Sequence, residues 1–407
     1  MELLLIGILL MAGLMFGTLG SRYLGVPRVV GYILLGMLFA PDLLGGTLGM
    51  DATAWTQPMV SVALGIIAYL IGGSASITQL KQLGWGIVGA TMGKVTGAFL
   101  VVLVAVGLLG QIVGDLPGWT FALVVAAIAT TTAPAAIVAV IHQYRARGPL
   151  TTTLLGMVAI DDALGIMIFS LVLAFVGAES LGQALPAAAW DIGGAILIGA
   201  VAGFLLERLS RRLHEHELRL VALVGGIVLL VGLSEFWAFS ALLAAMSLGF
   251  SVRFFGGATA EREFEPVEQL EELVFVLFFT FAGLHFDPQV VVQYAPLILL
   301  YFFARAAGLA GGATLGARLA RAPDVVARNV GLGLLPQGGV AIGLSLLLAG
   351  TTRFADTGEL IVNIITATTL LTESFGSVAT RYGLKRAGET HQAMQGPKHR
   401  ETEHEGK

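Results

Sequence analysis

The sequence predicts an all-α polytopic membrane protein with thirteen transmembrane helices. Three observations carry that prediction. The composition is 56% hydrophobic and only 12% charged, against roughly 25% charged in an average soluble domain. Apolar runs of near-spanning length recur along the whole chain. The charges in the loops between those runs separate by sign. A mean hydropathy of +0.85 leaves too little polar surface for a water-soluble chain of 407 residues.

A helix needs ~20 residues to cross a hydrocarbon core ~30 Å thick. Runs that approach this length lie near 3–20, 27–41, 55–73, 84–112, 119–142, 152–177, 187–207, 218–234, 236–252, 270–284, 290–317, 326–349 and 359–379. With alternating spans, one set of loops holds Arg22, Arg28, Lys81, Arg145, Arg147, Arg208, Arg211, Arg212, Arg219, Arg253, Arg262, Arg318, Arg321, Arg328, Arg381, Lys385 and Arg386. The opposite set holds Asp42, Asp51, Asp115, Glu179, Asp191, Asp287, Asp356 and Glu359, with Arg353 as its one base. The positive-inside rule makes the basic set cytoplasmic. The N-terminus is then outside and the C-terminus inside. Met1-Glu2-Leu3 lacks a basic n-region, so the first run reads as a span and not a removable signal.

Residues 1–386 form the predicted transmembrane unit. The stretch 387–407 is polar, without apolar period, and is expected to be a disordered cytoplasmic tail. Fifty-four glycines suit closely packed helices, and the absence of cysteine rules out disulfides and thiolate metal sites. No phosphate-binding lysine loop, His-Glu-x-x-His pattern or nucleophile elbow occurs. The chain therefore reads as neither ATP-driven nor an enzyme, and no cofactor or nucleic-acid partner is expected.

Two spans are interrupted. The fifth contains Ala129-Thr130-Thr131-Thr132-Ala133-Pro134 and the twelfth Leu335-Pro336-Gln337-Gly338-Gly339. Each places a helix breaker near mid-membrane. Lys94 in the fourth span and Arg305 in the eleventh show the same seven-span offset. Six spans, one linking span and six more give two halves of opposite topology. Paired interrupted helices in such inverted repeats point to a transporter's binding site.

The chemistry centres on Asp161-Asp162, about ten residues into the sixth span. A charge at that depth costs at least ~2.5–3.5 kcal/mol on insertion scales, and intramembrane acids are rare unless functional. Adjacent helical residues point ~100° apart, so the two acids divide their roles. One can face an ion cavity and the other a buried base. Thr130, Thr131 and Thr132 add hydroxyl oxygens, and unwound backbone adds carbonyls, which suit a hard cation. Arg305 is always protonated and needs a partner, for which Asp161 or Asp162 is the natural choice. Lys94 reads as a static strut. Glu373 has three readings: pairing with Lys94, a place in an ion pathway, or exposure to water. Gln337 and Asn363 are expected to support the site from the core helices.

These residues resemble the monovalent cation/proton antiporters, in the bacterial branch that includes Asp-Asp sodium/proton antiporters and Kef-type potassium efflux systems. The likeness runs from about Leu3 to Lys385. It rests on Gly25-Val26-Pro27-Arg28-Val29-Val30-Gly31-Tyr32-Ile33-Leu34-Leu35-Gly36, Thr131-Thr132-Ala133-Pro134-Ala135, Asp161-Asp162, Phe279-Thr280-Phe281-Ala282-Gly283-Leu284 and Leu335-Pro336-Gln337-Gly338-Gly339. The resemblance implies a homodimer, with scaffold helices and a mobile core near 55–177 and 290–379 that carries crossed broken helices and moves like an elevator. It implies that Asp162 binds the transported cation and that Asp161 pairs with a base from a later span. That position reads Arg305 here, and Arg does not readily release a proton. Gly72-Gly73-Ser74-Ala75-Ser76 stands where the family usually has an acid, and a Kef-type nucleotide-sensing domain is absent from the sequence.

The expected function is exchange of Na⁺ or Li⁺ for H⁺ by alternating access, with both ions competing for Asp162. Potassium/proton exchange by the same machinery is the alternative, and a passive cation channel a more distant one.

Overall fold

The computed structural model describes residues 2–24, 27–45, 53–74, 84–113, 118–177, 181–354 and 357–390. Among these, helices joined by loops make up the fold, and no strand occurs. That is the physical expectation in lipid, where each backbone N–H and C=O must be satisfied within its own segment.

The helices are α1 (Glu2–Leu19), α2 (Arg28–Leu38), α3 (Thr53–Ser74), α4 (Trp85–Val113), α5 (Gly118–Ala129), α6 (Pro134–Gln143), α7 (Pro149–Gly177), α8 (Leu181–Ala189), α9 (Ala195–Ser210) and α10 (His216–Trp237). They continue with α11 (Ala241–Gly256), α12 (Glu261–Glu268), α13 (Glu271–Leu284), α14 (Pro288–Gln293), α15 (Ala295–Leu319), α16 (Asp324–Asn329), α17 (Gly339–Ala349) and α18 (Gly358–Arg386). Among the described residues, nine segments are long and apolar enough to span, or ten when the bent pair α16–α17 counts as one. The apolar stretches of α3 and α11 are shorter. Helix α13 has 14 residues, about 21 Å at 1.5 Å per residue. The thirteen predicted runs all carry helix, but length alone does not establish thirteen spans.

Both predicted interruptions are present. Helix α5 ends at Ala129, and α6 restarts at Pro134. Ala133 is extended (φ −93°, ψ 103°), the conformation a following proline imposes. The second break runs through Leu335–Gly338, where the flanking segments bend by 44°. The breaks touch. The Ala133 N–H donates to the Pro336 carbonyl at 2.9 Å, so two backbone groups freed by unwinding satisfy each other.

Glycine stripes hold α4 against α15. A Cβ at Gly93 would strike the Gly312 carbonyl, and one at Gly97 the Gly308 carbonyl. The same holds for Gly316 against Gly89. Residue numbers rise along one helix as they fall along the other, so the two run antiparallel, as inverted halves require. Only glycine permits this approach, and it aligns the faces bearing Lys94 and Arg305.

The tail expectation needs one correction. Glu389 and Thr390 are buried, each 4% exposed. Its carboxylate accepts from the Leu150 N–H, the Thr151 N–H and the Thr151 hydroxyl, each at 2.7 Å. Its carbonyl accepts from Arg147 N–H at 3.0 Å. A carboxylate is favoured there because the first turn of α7 leaves N–H groups without helical partners. Residues 391–407 lie outside the described residues. Glu389→Ala leaves those buried donors unpaired and should cost about 1–3 kcal/mol. A lowered midpoint of thermal unfolding in detergent checks this; an unchanged midpoint contradicts it.

Candidate functional site

Asp161 and Asp162 lie midway along α7 and are 1% and 3% exposed. Their environments differ. One Asp161 oxygen accepts from the Lys94 ammonium in a fully buried ion pair. The other accepts from the Thr132 N–H at 3.1 Å and from the Thr132 hydroxyl. Both Asp161 oxygens thus have donors, and the residue ties α4, the first break and α7 together. Asp162 is the reverse case. Its Oδ1 is buried and, among the described residues, meets no hydrogen-bond partner. A buried carboxylate oxygen without a donor is costly unless a proton or cation completes it.

Arg305 does not pair with either aspartate, which corrects the expected Asp161–Arg305 contact. Its guanidinium donates to three backbone carbonyls: Ala129 at 3.2 Å, Thr131 at 2.6 Å and Leu335 at 2.8 Å. These are the free carbonyls at the two breaks. A helix C-terminus is electronegative, and its last carbonyls lack helical donors. The planar guanidinium, with five N–H groups, can serve several carbonyls on two segments at once. Lys94, a compact charge, takes the carboxylate. The strut expected at Lys94 is therefore the direct partner of an acid.

The other predicted residues fall into three groups. Thr131 lies beside the pair: a Cβ at Gly165, one turn past Asp161-Asp162, would strike its Cγ2. Its hydroxyl donates back to the Ile128 carbonyl at 2.9 Å, as threonine hydroxyls in helices often do. Thr132 spends its hydroxyl on Asp161. Gln337 and Glu373 belong to the second break. Gln337 donates to the Tyr301 hydroxyl at 2.9 Å, and its N–H donates to the Thr372 hydroxyl at 3.2 Å. Glu373 is 4% exposed, with Oε1 3.8 Å from where a Cβ on Gly338 would stand. Of its three readings, exposure to water is excluded, and the contact with Lys94 is not made, because Lys94 holds Asp161.

Asn363 is remote from the site. Its amide oxygen accepts from Asp287 N–H at 2.7 Å, and its amide N–H₂ donates to the His285 and Glu359 carbonyls at 3.2 and 2.9 Å. It fastens the α13–α14 turn to α18, ten residues and about 15 Å from Glu373 along that helix. Sequence reading missed Tyr301 and Thr372. Their signal was weak, because a tyrosine and a threonine in apolar helices have many roles. Among the described residues no cluster of three His, Cys, Asp or Glu side chains forms a metal site.

Fold and site together define a class: polytopic helical membrane proteins in which two interrupted helices meet beside a buried acid pair. Residues 6–382 match the family described as sodium/hydrogen exchanger, transmembrane, and the chain belongs to that family. Na(+)/H(+) antiporter 1 of Methanocaldococcus jannaschii is 25% identical over 235 residues, covering 56% of this chain and 52% of that protein. That match thus spans about half the relative's length. Na(+)/H(+) antiporter NhaP of Pseudomonas aeruginosa is 24% identical over 320 residues, 71% of each chain. The fold is that of the sodium proton antiporter MjNhaP1 from M. jannaschii. The two superpose with a TM-score of 0.73 at 22% identity, over 96% of this chain and 100% of that one.

The division between the two aspartates yields a test. Removing one partner of a buried ion pair typically costs about 3–5 kcal/mol. Lys94→Met should lower stability by that order, and Lys94→Met combined with Asp161→Asn should be less harmful than the two single losses summed. Thermal unfolding of the four proteins in the cycle measures the coupling. Additive losses would contradict a direct pair.

Proposed function

We propose that the chain is a secondary active antiporter that exchanges Na⁺, or Li⁺, for H⁺. The observation that carries this reading is the buried Asp162 with an oxygen left without a donor. A carboxylate in that position binds either a proton or a small cation, and binding one excludes the other. Competition for one group is enough to couple two fluxes without another energy source. The membership of the exchanger family and the naming of the relatives as Na(+)/H(+) antiporters support the same reading.

Each nearby group has a role in this cycle. Lys94 and Thr132 hold Asp161 fixed, so Asp161 shapes the local field and leaves the exchange to Asp162. Arg305 keeps the two breaks together, so that their backbone and the Thr131–Thr132 segment stay in place as the site changes occupancy. Glu373 and Gln337 support the second break. The wider frame is a homodimer in a bacterial inner membrane, with N-terminus outside and C-terminus in the cytoplasm. Alternating access proceeds by an elevator-like displacement of the core near 55–177 and 290–379, which carries α3 to α7 and α15 to α18.

Everted membrane vesicles test the coupling. Na⁺ or Li⁺ added to energised vesicles should dissipate the pH gradient, and Asp162→Asn should abolish that response. Lowering the pH should raise the apparent KM for Na⁺ while leaving the maximal rate at saturating Na⁺ unchanged, because protons compete for the same oxygen. Exchange retained in Asp162→Asn would contradict the reading. A larger response to K⁺ than to Na⁺ would move the substrate to potassium, and Na⁺ current without proton movement would mean a channel.

A further inference from the structure

A cavity of about 950 Å³ opens at the Gly177 end of α7, opposite the end that Glu389 caps. Helices α3, α7, α10, α11 and α17 and the 187–191 segment wall it. Its polar lining is built of oxygen. Asp191 and Glu235 supply carboxylates, and Ser61, Ser170, Ser234 and Ser240 supply hydroxyls. No Lys, Arg or His is among the described lining residues, and the one base at the rim, Arg353, donates to the Gly177 carbonyl at 3.1 Å. A concave surface with charge of one sign and low-dielectric walls concentrates ions of the other sign. Oxygen ligands alone suit a hard cation.

Asp191 is the less exposed of the two acids in this wall. It is only partly exposed, and its carbonyl accepts from the Ser240 N–H at 3.3 Å. Ser170 in turn lies 3.1 Å from the Ser240 hydroxyl. Ser170 stands eight residues beyond Asp162 on the same helix, about 12 Å along its axis. Leu64 and Leu242 line both the cavity and a smaller void of about 10 Å³, whose wall also includes Ile67, Ile166 and Val340. The void is wholly apolar and barely the size of one water. Asp162 is not among the described residues that line either space.

We propose that Asp191, with the Ser170 and Ser240 hydroxyls, is a second cation site. It holds a monovalent cation in this vestibule before the apolar seal opens toward Asp162. The inference rests on the antiport reading and adds a one-sided role to it. Asp162 serves ions from both faces; Asp191 serves only those arriving through this cavity.

Sealed membrane vesicles of the two orientations, carrying the full chain, separate these roles. Na⁺ is added from one face at a time, and Na⁺-dependent proton movement is recorded. Asp191→Asn should raise the apparent KM for Na⁺ about tenfold from the cavity face. It should leave the KM from the opposite face and both maximal rates unchanged. Asp191→Glu, which keeps the charge, should keep a near-normal KM. If Asp191→Asn does not assemble, Glu235→Gln should give a smaller shift of the same sidedness. Equal shifts from both faces, or none from either, would overturn the proposal. Absent exchange in the unaltered chain, or exchange surviving Asp162→Asn, would instead overturn the antiport reading.

Discussion

The structure depends on how Arg305 satisfies two broken helices at once. Interrupting a helix inside a membrane frees carbonyls that no water can reach, and each carries a penalty of a few kcal/mol. One buried guanidinium answers three of them, from Ala129, Thr131 and Leu335. The Ala133 N–H and the Pro336 carbonyl answer each other across the crossing. With the breaks secured in this way, unwound backbone can sit beside an acid pair without collapsing onto it.

The same economy of partners explains why adjacent aspartates behave differently. Asp161 points to where α4 delivers Lys94 and the first break delivers Thr132, and both its oxygens have donors. Asp162, about 100° around the helix, meets no donor at Oδ1. Delivery of Lys94 relies in turn on the glycine stripe that lets α4 lie against α15. A side chain at Gly93 or Gly312 would separate the helices and draw the ammonium away. The chain of dependence runs from small residues to helix register, from register to one ion pair, and from that pair to one uncommitted carboxylate.

Much of this was legible in the sequence because the signals are local. Two acids in an apolar run, Pro134 after a threonine triplet and Pro336 before glycines are each costly in a plain spanning helix, so they mark the site directly. What was not legible depends on three-dimensional register. Arg305 and Lys94 are both buried bases, and sequence alone cannot say which of them faces α7. The Gly89, Gly93, Gly97 and Gly308, Gly312, Gly316 spacings mark the faces on which α4 and α15 meet, but not which base reaches α7. Asn363 sits on the same helix as Glu373, yet it lies near the other end, where it bonds a turn. Glu389 lies in a stretch whose composition argues against order, because composition does not register one carboxylate capping α7. Span number was read from charge sorting, whereas helix length supports nine to ten among the described residues.

The central claim is that one carboxylate, Asp162, exchanges a proton for the cation. The most direct measurement is proton release from purified protein in weakly buffered detergent solution as Na⁺ is added. The account predicts that the unaltered protein releases protons with saturable dependence on Na⁺ and that Asp162→Asn releases none. Equal release from both proteins would contradict it.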